Sequence, residues 1–524
     1  MTRAHKKRLA IIGAGSSGLV TLKYALDLLP DWEVTCFEKG NDVRGSWGFP
    51  YQGFVSTSTK FATQFACYPK FSAICEGSQE SPKDFFMNGE YGDYLEEFAE
   101  NFGLKAYIRF HISVKGLVKS ESNWQIMLQN DQSETSTETF DAVFVCTGLA
   151  NRSKLIHTTL PTLRKVEHPE TIQNQKIVIV GGGESAVDTA SRLADPALKN
   201  QVWLSLRSGI RVSPRYHPIR GVPSDYLRNR LLLSISPQFR NALGEFFVRT
   251  RVKYEDLFQK SFAGKHTSKK KRGNRSKDWN LKLMRHARGK LFNVFHTKSD
   301  TFLDYVDSGR IQIVGPSKDH TFDEFKAFGS EGPDIKIGPN LVVDQTGYKS
   351  ALDEITESRI DVSHFYRGCI HSTYPFIFLI GFARPVIGNI PSIAEIQAQY
   401  ALSVLSGVIS RTSNIKQKHQ EERRQIEMRF PHLTINKLLP VEMFPYCDAI
   451  ARDMGRYPTI RSTGSIRNWI RLHLAPASTL HYASEIKPEN QMCYLPKVLC
   501  LVLFLIRCTD LVNSWISSVK KKKI

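Results

Sequence analysis

The sequence has no CxxC pair, and its nine cysteines are an odd number in 524 residues. A dithiol redox centre, a zinc module and a disulfide scaffold are thereby excluded as organising devices, and reduced thiols in a cytosol-facing protein are expected. No HExxH, no metal-ligand cluster and no catalytic-triad pattern stands out, so no metal ligand is assigned and no side-chain nucleophile is indicated. A signal peptide is not expected either. Met1 to Arg8 is basic, but the apolar stretch Leu9 to Ile12 is too short for a signal core and runs straight into a glycine turn. Long apolar runs are lacking as well: Val498 to Ile506 holds nine apolar residues, against the roughly 20 that a spanning helix needs.

What is present is ordinary globular usage, 41% hydrophobic and 23% charged, in a chain long enough for two intimate domains or one large composite. The net charge of +20 favours anionic cofactors, membrane surfaces or nucleic acid without choosing among them.

One device occurs twice. The apolar strand Leu9 to Ile12 leads into Gly13, Ala14, Gly15, Ser16, Ser17 and Gly18, then into a helical pattern through Leu19, Leu22, Ala25 and Leu29 closed by Pro30. The strand Lys176 to Val180 leads into Gly181, Gly182, Gly183, Glu184, Ser185 and Ala186, then into a helix through Val187, Ala190 and Leu193. In such a unit the first glycine makes the tight turn, the second admits a pyrophosphate and the third lets helix and strand pack closely. The phosphates then rest on the helix N-terminus, where free N–H groups and the dipole favour an anion.

The strands that follow differ. Glu33 to Phe37 ends in Glu38, 25 positions after Gly13, where an acid accepts hydrogen bonds from a ribose diol. Gln201 to Leu206 ends instead in Arg207, Ser208 and Gly209, and a guanidinium forks onto the oxygens of a 2′-phosphate that a carboxylate would repel. The first site therefore reads as FAD and the second as NADPH, so hydride passes from nicotinamide to flavin. Phe140 to Cys146 reads as a buried strand ending at Thr147 and Gly148, and Asn340 to Val343 ends the same way at Thr346 and Gly347.

These residues resemble the flavin-containing monooxygenases, relatives of the dimethylaniline and trimethylamine N-oxygenases. The matching pieces are GAGSSG at 13 to 18, FEKGNDVRGSW at 37 to 47, VSTSTK at 55 to 60, VCTG at 145 to 148, GGGESA at 181 to 186, LRSG at 206 to 209, DQTGY at 344 to 348 and IPSIAEIQAQYA at 390 to 401. The resemblance implies that NADPH reduces FAD and that oxygen forms a C4a-hydroperoxyflavin shielded by retained NADP⁺. One oxygen atom then goes to a small nitrogen- or sulfur-containing substrate. It also implies that Gly13, Ala14, Gly15, Ser17, Gly18, Glu38, Ser46, Trp47, Thr147 and Gly148 hold FAD, while Gly181, Gly183, Ala186, Arg207, Ser208 and Gly209 hold NADPH.

Three departures from the family pattern stand out. Thr57 occupies the position of an asparagine that contacts flavin and nicotinamide, so a hydroxyl with one donor replaces an amide, and Thr57 is the candidate beside the flavin edge. Arg44 replaces a glycine next to Ser46 and Trp47. An F-x-G-x-x-x-H-x-x-x-F signature is reduced to Thr162, Arg164, His168 and Ile172. His168 reads as a structural hydrogen-bonder, and Cys146 as a small hydrophobe. Ser392 and Glu395 after Pro391 read as a capping box at the start of a helix whose positive end faces the flavin.

The fold expected is α/β, with two Rossmann-like dinucleotide-binding domains, the NADP domain being inserted into a split FAD domain. Residues 1–155 and 335–450 form the FAD part and 156–334 the NADP part, with a basic insertion near 265–277 that reads as a solvated loop rather than a nucleic-acid contact. Residues 451–524 form a C-terminal extension. In its tail, 498–524, the apolar run, Trp515 and the terminal lysines read as an anchor lying on a membrane surface, with a spanning helix as the alternative. Lys521, Lys522 and Lys523 resemble a dilysine retrieval signal, which places the chain at the endoplasmic reticulum membrane, cytosolic face. The alternatives are a Baeyer–Villiger monooxygenase, an NADPH oxidase releasing hydrogen peroxide, and a catalytically silent nucleotide-binding membrane protein.

Overall fold

Leu9, Ala10, Ile11 and Ile12 form an apolar run with no polar alternation, the pattern of a strand covered on both faces. The computed structural model describes residues 6–48, 51–150, 152–255, 257, 274–434, 438–483 and 492–522. In it, Arg8–Ile12 lies inside a seven-stranded sheet of order Phe365–Tyr366, Ile370–His371, Ile377–Leu379, Ala142–Val145, Arg8–Ile12, Glu33–Phe37 and Ile108–Arg109. The five strands from Ile377–Leu379 onward run parallel, and the two at the far edge are antiparallel. Helices Ser16–Leu28 and Ile390–Leu405 pack on each other, and the sheet and these helices share one core. An antiparallel ribbon, Ile112–Lys119, Trp124–Asn130 and Thr135–Phe140, fills the link between the Ile108 and Ala142 strands.

A second parallel sheet has the order Thr162–Leu163, Leu341–Asp344, Lys176–Val180, Gln201–Ser205, Ile311–Val314 and its own core under helix Glu184–Leu193. The architecture is therefore α/β with two Rossmann-type units. The return expected at 335 comes later, because Leu341–Asp344 pairs within the second sheet and the chain rejoins the first only at Phe365–Tyr366. Val342 and Val343 are fully buried, and an apolar strand covered on both faces has the same pattern in either sheet.

The segment 409–457, to which sequence assigns no elements, supplies helix Ile415–Arg429, strand Leu439–Glu442 and helix Met443–Asp453. The extension after 451 folds back onto the second unit: Pro476 bridges to Asn229, and the Ala477 N–H donates to the Arg228 carbonyl at 2.8 Å. Buried arginines fasten this face, Arg230 to Asp448 at 3.1 Å and Arg240 to Glu442 at 2.5 Å. Helix Lys497–Lys522 begins against Arg230–Leu233, burying Leu503 and exposing Val498, Leu501 and Leu505. No helix among the described residues is long and apolar enough to cross a membrane. Most of the basic stretch 265–277 lies outside the described residues.

Candidate active site

Gly13 has φ +97°, a conformation open to glycine, and closes the turn after the first strand. A Cβ on Gly18 would overlap the Gly13 carbonyl oxygen, so Gly18 is fixed by helix–strand packing. A Cβ on Gly15 would meet Gly45 Cα at 3.5 Å, an ordinary contact; Gly15 is small for whatever approaches the loop. Helix Ser16–Leu28 starts on Gly15 with no side-chain cap, leaving its first N–H groups to other acceptors. Glu38 accepts from the N–H of Ala14 and of Gly40, both at 2.8 Å. Ala14 is fully buried and acts by presenting this N–H to Glu38, a place in the packing rather than a free contact surface.

At the second turn Gly181 has φ +140°, and a Cβ there would overlap the Gln345 carbonyl. Nothing lies within 4 Å of a Cβ on Gly183, which caps helix Glu184–Leu193, so space is open for a pyrophosphate. Ala186, in the place of the third glycine, is fully buried. Arg207 is exposed and makes no ion pair among the described residues, and Ser208 is half-buried beside it. The Gly209 N–H donates to the His286 carbonyl at 2.7 Å, and a Cβ there would overlap the Leu283 carbonyl. It docks the turn on the end of helix Asn274–Arg285.

Between the two turns lies a cavity of about 1010 Å³. Gly13, Gly15, Ser17, Glu38, Ser46, Trp47, Thr57, Thr147 and Gly148 line it, and the second unit contributes Glu184, Ser185 and Asp188. The remaining second-site residues, from Gly181 to Gly209, lie outside that lining. Trp47 packs edge-on against Tyr91, ring centroids 4.6 Å apart. Arg44 reaches away to Asp93 at 2.9 Å, which explains how an arginine is tolerated there. His168 is exposed and bonds Glu170 at 3.0 Å, a local surface contact. Burial pushes the Cys146 thiol up to about 12, leaving it an inert hydrophobe.

Charge collects around Thr57, which lies on strand Val55–Thr59. Arg215 donates to the carbonyls of Val55 at 2.6 Å and Ser56 at 2.9 Å and pairs with Asp300 at 2.9 Å, so the second unit grips the strand that carries Thr57. Thr57 and Glu184 both line the cavity. Burial raises the Glu184 carboxyl above its ordinary range, outweighing Arg384, Lys298, Arg215 and Thr57, which pull it down. Burial likewise raises Asp188, which accepts from the Tyr51 hydroxyl. Lys298 and Arg228 reach Asp225 at 2.7 and 3.3 Å and hold its carboxyl low despite burial. Burial takes His296 down to about 3, so its imidazole is neutral.

Sequence reading misses Glu184, Arg215, Lys298 and Arg384 as cavity residues. Glu184 sits inside the GGGESA motif and was legible there; Arg215 lies on an irregular connection and Lys298 on the two-residue strand Thr297–Lys298, too short for periodicity to mark it. The capping box also changes. Asn389 caps the Ile390–Leu405 helix through the Ser392 N–H at 3.0 Å, while Glu395, fully buried, accepts from the N–H groups of Ala66 at 2.6 Å and Cys67 at 2.9 Å. The extended backbone of Asn389 puts its own amide at the cap.

The glycine loop of one parallel sheet and the helix start after the glycine turn of the other face a common cavity, which makes this a dinucleotide-binding oxidoreductase architecture. Residues 6–280, more than half the chain, match the family described as flavin-binding monooxygenase-like, and the chain belongs to that family. It is 26% identical to flavin-containing monooxygenase 2 of Homo sapiens, covering 91% of this chain and 88% of the relative. Its fold is similar to S-allyl-L-cysteine S-oxygenase from Allium sativum, with TM-score 0.55, 17% identity and 86% and 89% of the two chains covered. It is also similar to cyclohexanone monooxygenase from Rhodococcus sp. Phi1, with TM-score 0.56, 15% identity and 86% and 98% covered. The chain is a flavin-dependent monooxygenase, and its cofactors are FAD and NADPH. The open approach at Gly183, the Gly15 loop and the cavity between them fit two such nucleotides.

Proposed function

We propose that the chain inserts one atom of molecular oxygen into a small nitrogen- or sulfur-containing substrate. The observation that carries this reading is the single cavity reached by both the first glycine loop and the helix start of the second, with Thr57 on its wall. Gly13, Gly15, Ser17, Glu38, Ser46, Trp47, Thr147 and Gly148 hold FAD, with Gly18 and Ala14 shaping the loop. Gly181, Gly183 and Ala186 form the NADPH turn, and Arg207 with Ser208 takes the 2′-phosphate. FAD supplies the redox chemistry with oxygen. The chain orients the two nucleotides and shields the reacting edge from water, which is where protein catalysis acts in such reactions.

The assay is NADPH- and oxygen-dependent conversion of an amine and a thioether, read by mass spectrometry beside hydrogen peroxide release. An oxygenated product in step with NADPH consumption supports the reading. A lactone from a cyclic ketone transfers it to Baeyer–Villiger chemistry. Peroxide in full yield makes the chain an oxidase, an outcome favoured by the single-donor hydroxyl of Thr57 in place of the family's amide. Tail 498–524 rests on a membrane surface, for which the apolar side chains Val498, Leu501, Val502, Phe504 and Leu505 stand exposed. The terminal lysines fit retention at the cytosolic face of the endoplasmic reticulum, tested by cell fractionation with and without the tail.

A further inference from the structure

Four cations line the cavity near Thr57, and three of them are engaged. Arg215 holds Asp300 and two backbone carbonyls, while Lys298 and Arg228 share Asp225. Arg384, on strand Ala383–Ile387, is the fourth. Among the described residues its guanidinium makes no ion pair and no side-chain hydrogen bond; Glu184 attracts it only through space. It lies over the Phe295 ring, 4.0 Å from the centroid.

A guanidinium has five N–H donors in one plane and no acceptor. Contact with a ring uses its face and leaves the edge donors directed outward, into a cavity that it lines. Arg384 is exposed to that cavity, and because the described residues supply no acceptor, its fork is free for an oxyanion from outside the chain. The nucleotide phosphates have their own partners in the two glycine turns and helix starts. Carboxylates match the fork with two parallel bonds.

We propose that Arg384 anchors a carboxylate of the substrate, so that the substrate class is an organic acid bearing a nitrogen or sulfur nucleophile, its acid on Arg384 beside Phe295 and its nucleophile toward Thr57. This rests on the oxygenation reading above and names its substrate class. Burial, which holds the Glu184 carboxyl toward its neutral form, lessens repulsion of an incoming acid, and Lys298 and Arg215 add attraction.

The test is calorimetric binding to the flavin-loaded protein saturated with NADP⁺, with 3-(methylthio)propanoate and 3-(methylthio)propan-1-ol as probes. The acid is expected to bind at least about tenfold more tightly than the alcohol. Arg384→Gln brings the two within about twofold, with affinity for the alcohol and for NADP⁺ unchanged, and Arg384→Lys keeps an intermediate preference because a point charge lacks the fork. Equal binding of acid and alcohol to the wild type overturns the proposal. So does an undiminished preference in Arg384→Gln, or a loss of NADP⁺ affinity there, which assigns the arginine to a nucleotide phosphate. If Arg384→Gln does not accumulate, the wild-type ratio and Arg384→Lys decide. Binding needs no turnover, so acid binding without oxygenated product defeats the oxygenation reading alone, and product from neutral amines without acid preference defeats this inference alone.

Discussion

Thr57, on a strand of the first unit, and Glu184, in the first turn of the helix that follows the second glycine motif, line the same cavity, and Thr57 helps to pull the Glu184 carboxyl down against desolvation. A hydroxyl has a single hydrogen to give. Thr57 therefore offers the cavity one donor, whereas an amide in its place would offer two.

Replacing Glu184 tests the cost of its desolvation. A carboxyl raised by burial binds more protons folded than unfolded, so its contribution falls as pH rises through the window above the ordinary glutamate range. Glu184→Gln is expected to raise the thermal midpoint relative to wild type at pH 8, and the gain should vanish near pH 4, where both states are protonated. Calorimetry at the two pH values checks the sign; a gain that grows on acidification contradicts it.

Gly18 and Gly15 should separate folding from binding. Gly18→Ala places a methyl against the Gly13 carbonyl and is expected to destabilise by about 3 kcal/mol or more, losing flavin as a consequence. Gly15→Ala meets only ordinary contact within the protein, so the midpoint should hold while flavin retention drops. Flavin absorbance against the unfolding midpoint distinguishes the two.

Arg215 joins the units. Arg215→Gln leaves Asp300 without its partner and the Val55 and Ser56 carbonyls without donors, an expected loss of about 3 kcal/mol. Because Thr57 lies beside those carbonyls, peroxide release per NADPH should also rise. Unchanged stability with unchanged peroxide yield would show that the grip on the strand is idle.

Arg207 carries the nucleotide preference in the proposed site. Arg207→Glu should raise KM for NADPH by about ten- to a hundredfold, the worth of one or two charge-assisted hydrogen bonds, while the value for NADH moves little. Equal effects on both nucleotides would place the 2′-phosphate elsewhere.

Deleting Val498–Ile524 should abolish sedimentation with anionic vesicles and leave NADPH oxidation intact. Wild-type protein should come off the vesicles at alkaline pH, as a surface-bound helix does; resistance to extraction would contradict surface binding.

Sequence alone determined the two strand–glycine–helix units, the acid Glu38 and the base Arg207 at the ends of the following strands, and thus the α/β class, because these depend on local conformation and short spacing. Gly13 and Gly18 are legible for that reason: Gly13 turns on its own positive φ, and Gly18 packs on the carbonyl of nearby Gly13. Only the tertiary structure decided which sheet receives Leu341–Asp344, that Glu395 serves the 66–67 loop instead of its own helix, and that Arg215, Lys298, Glu184 and Arg384 meet around Thr57. Those contacts span from tens to more than three hundred residues of chain. Buried charges obey no periodicity, and each is placed by the partner that offsets its desolvation, which appears only when the two sheets close on one cavity.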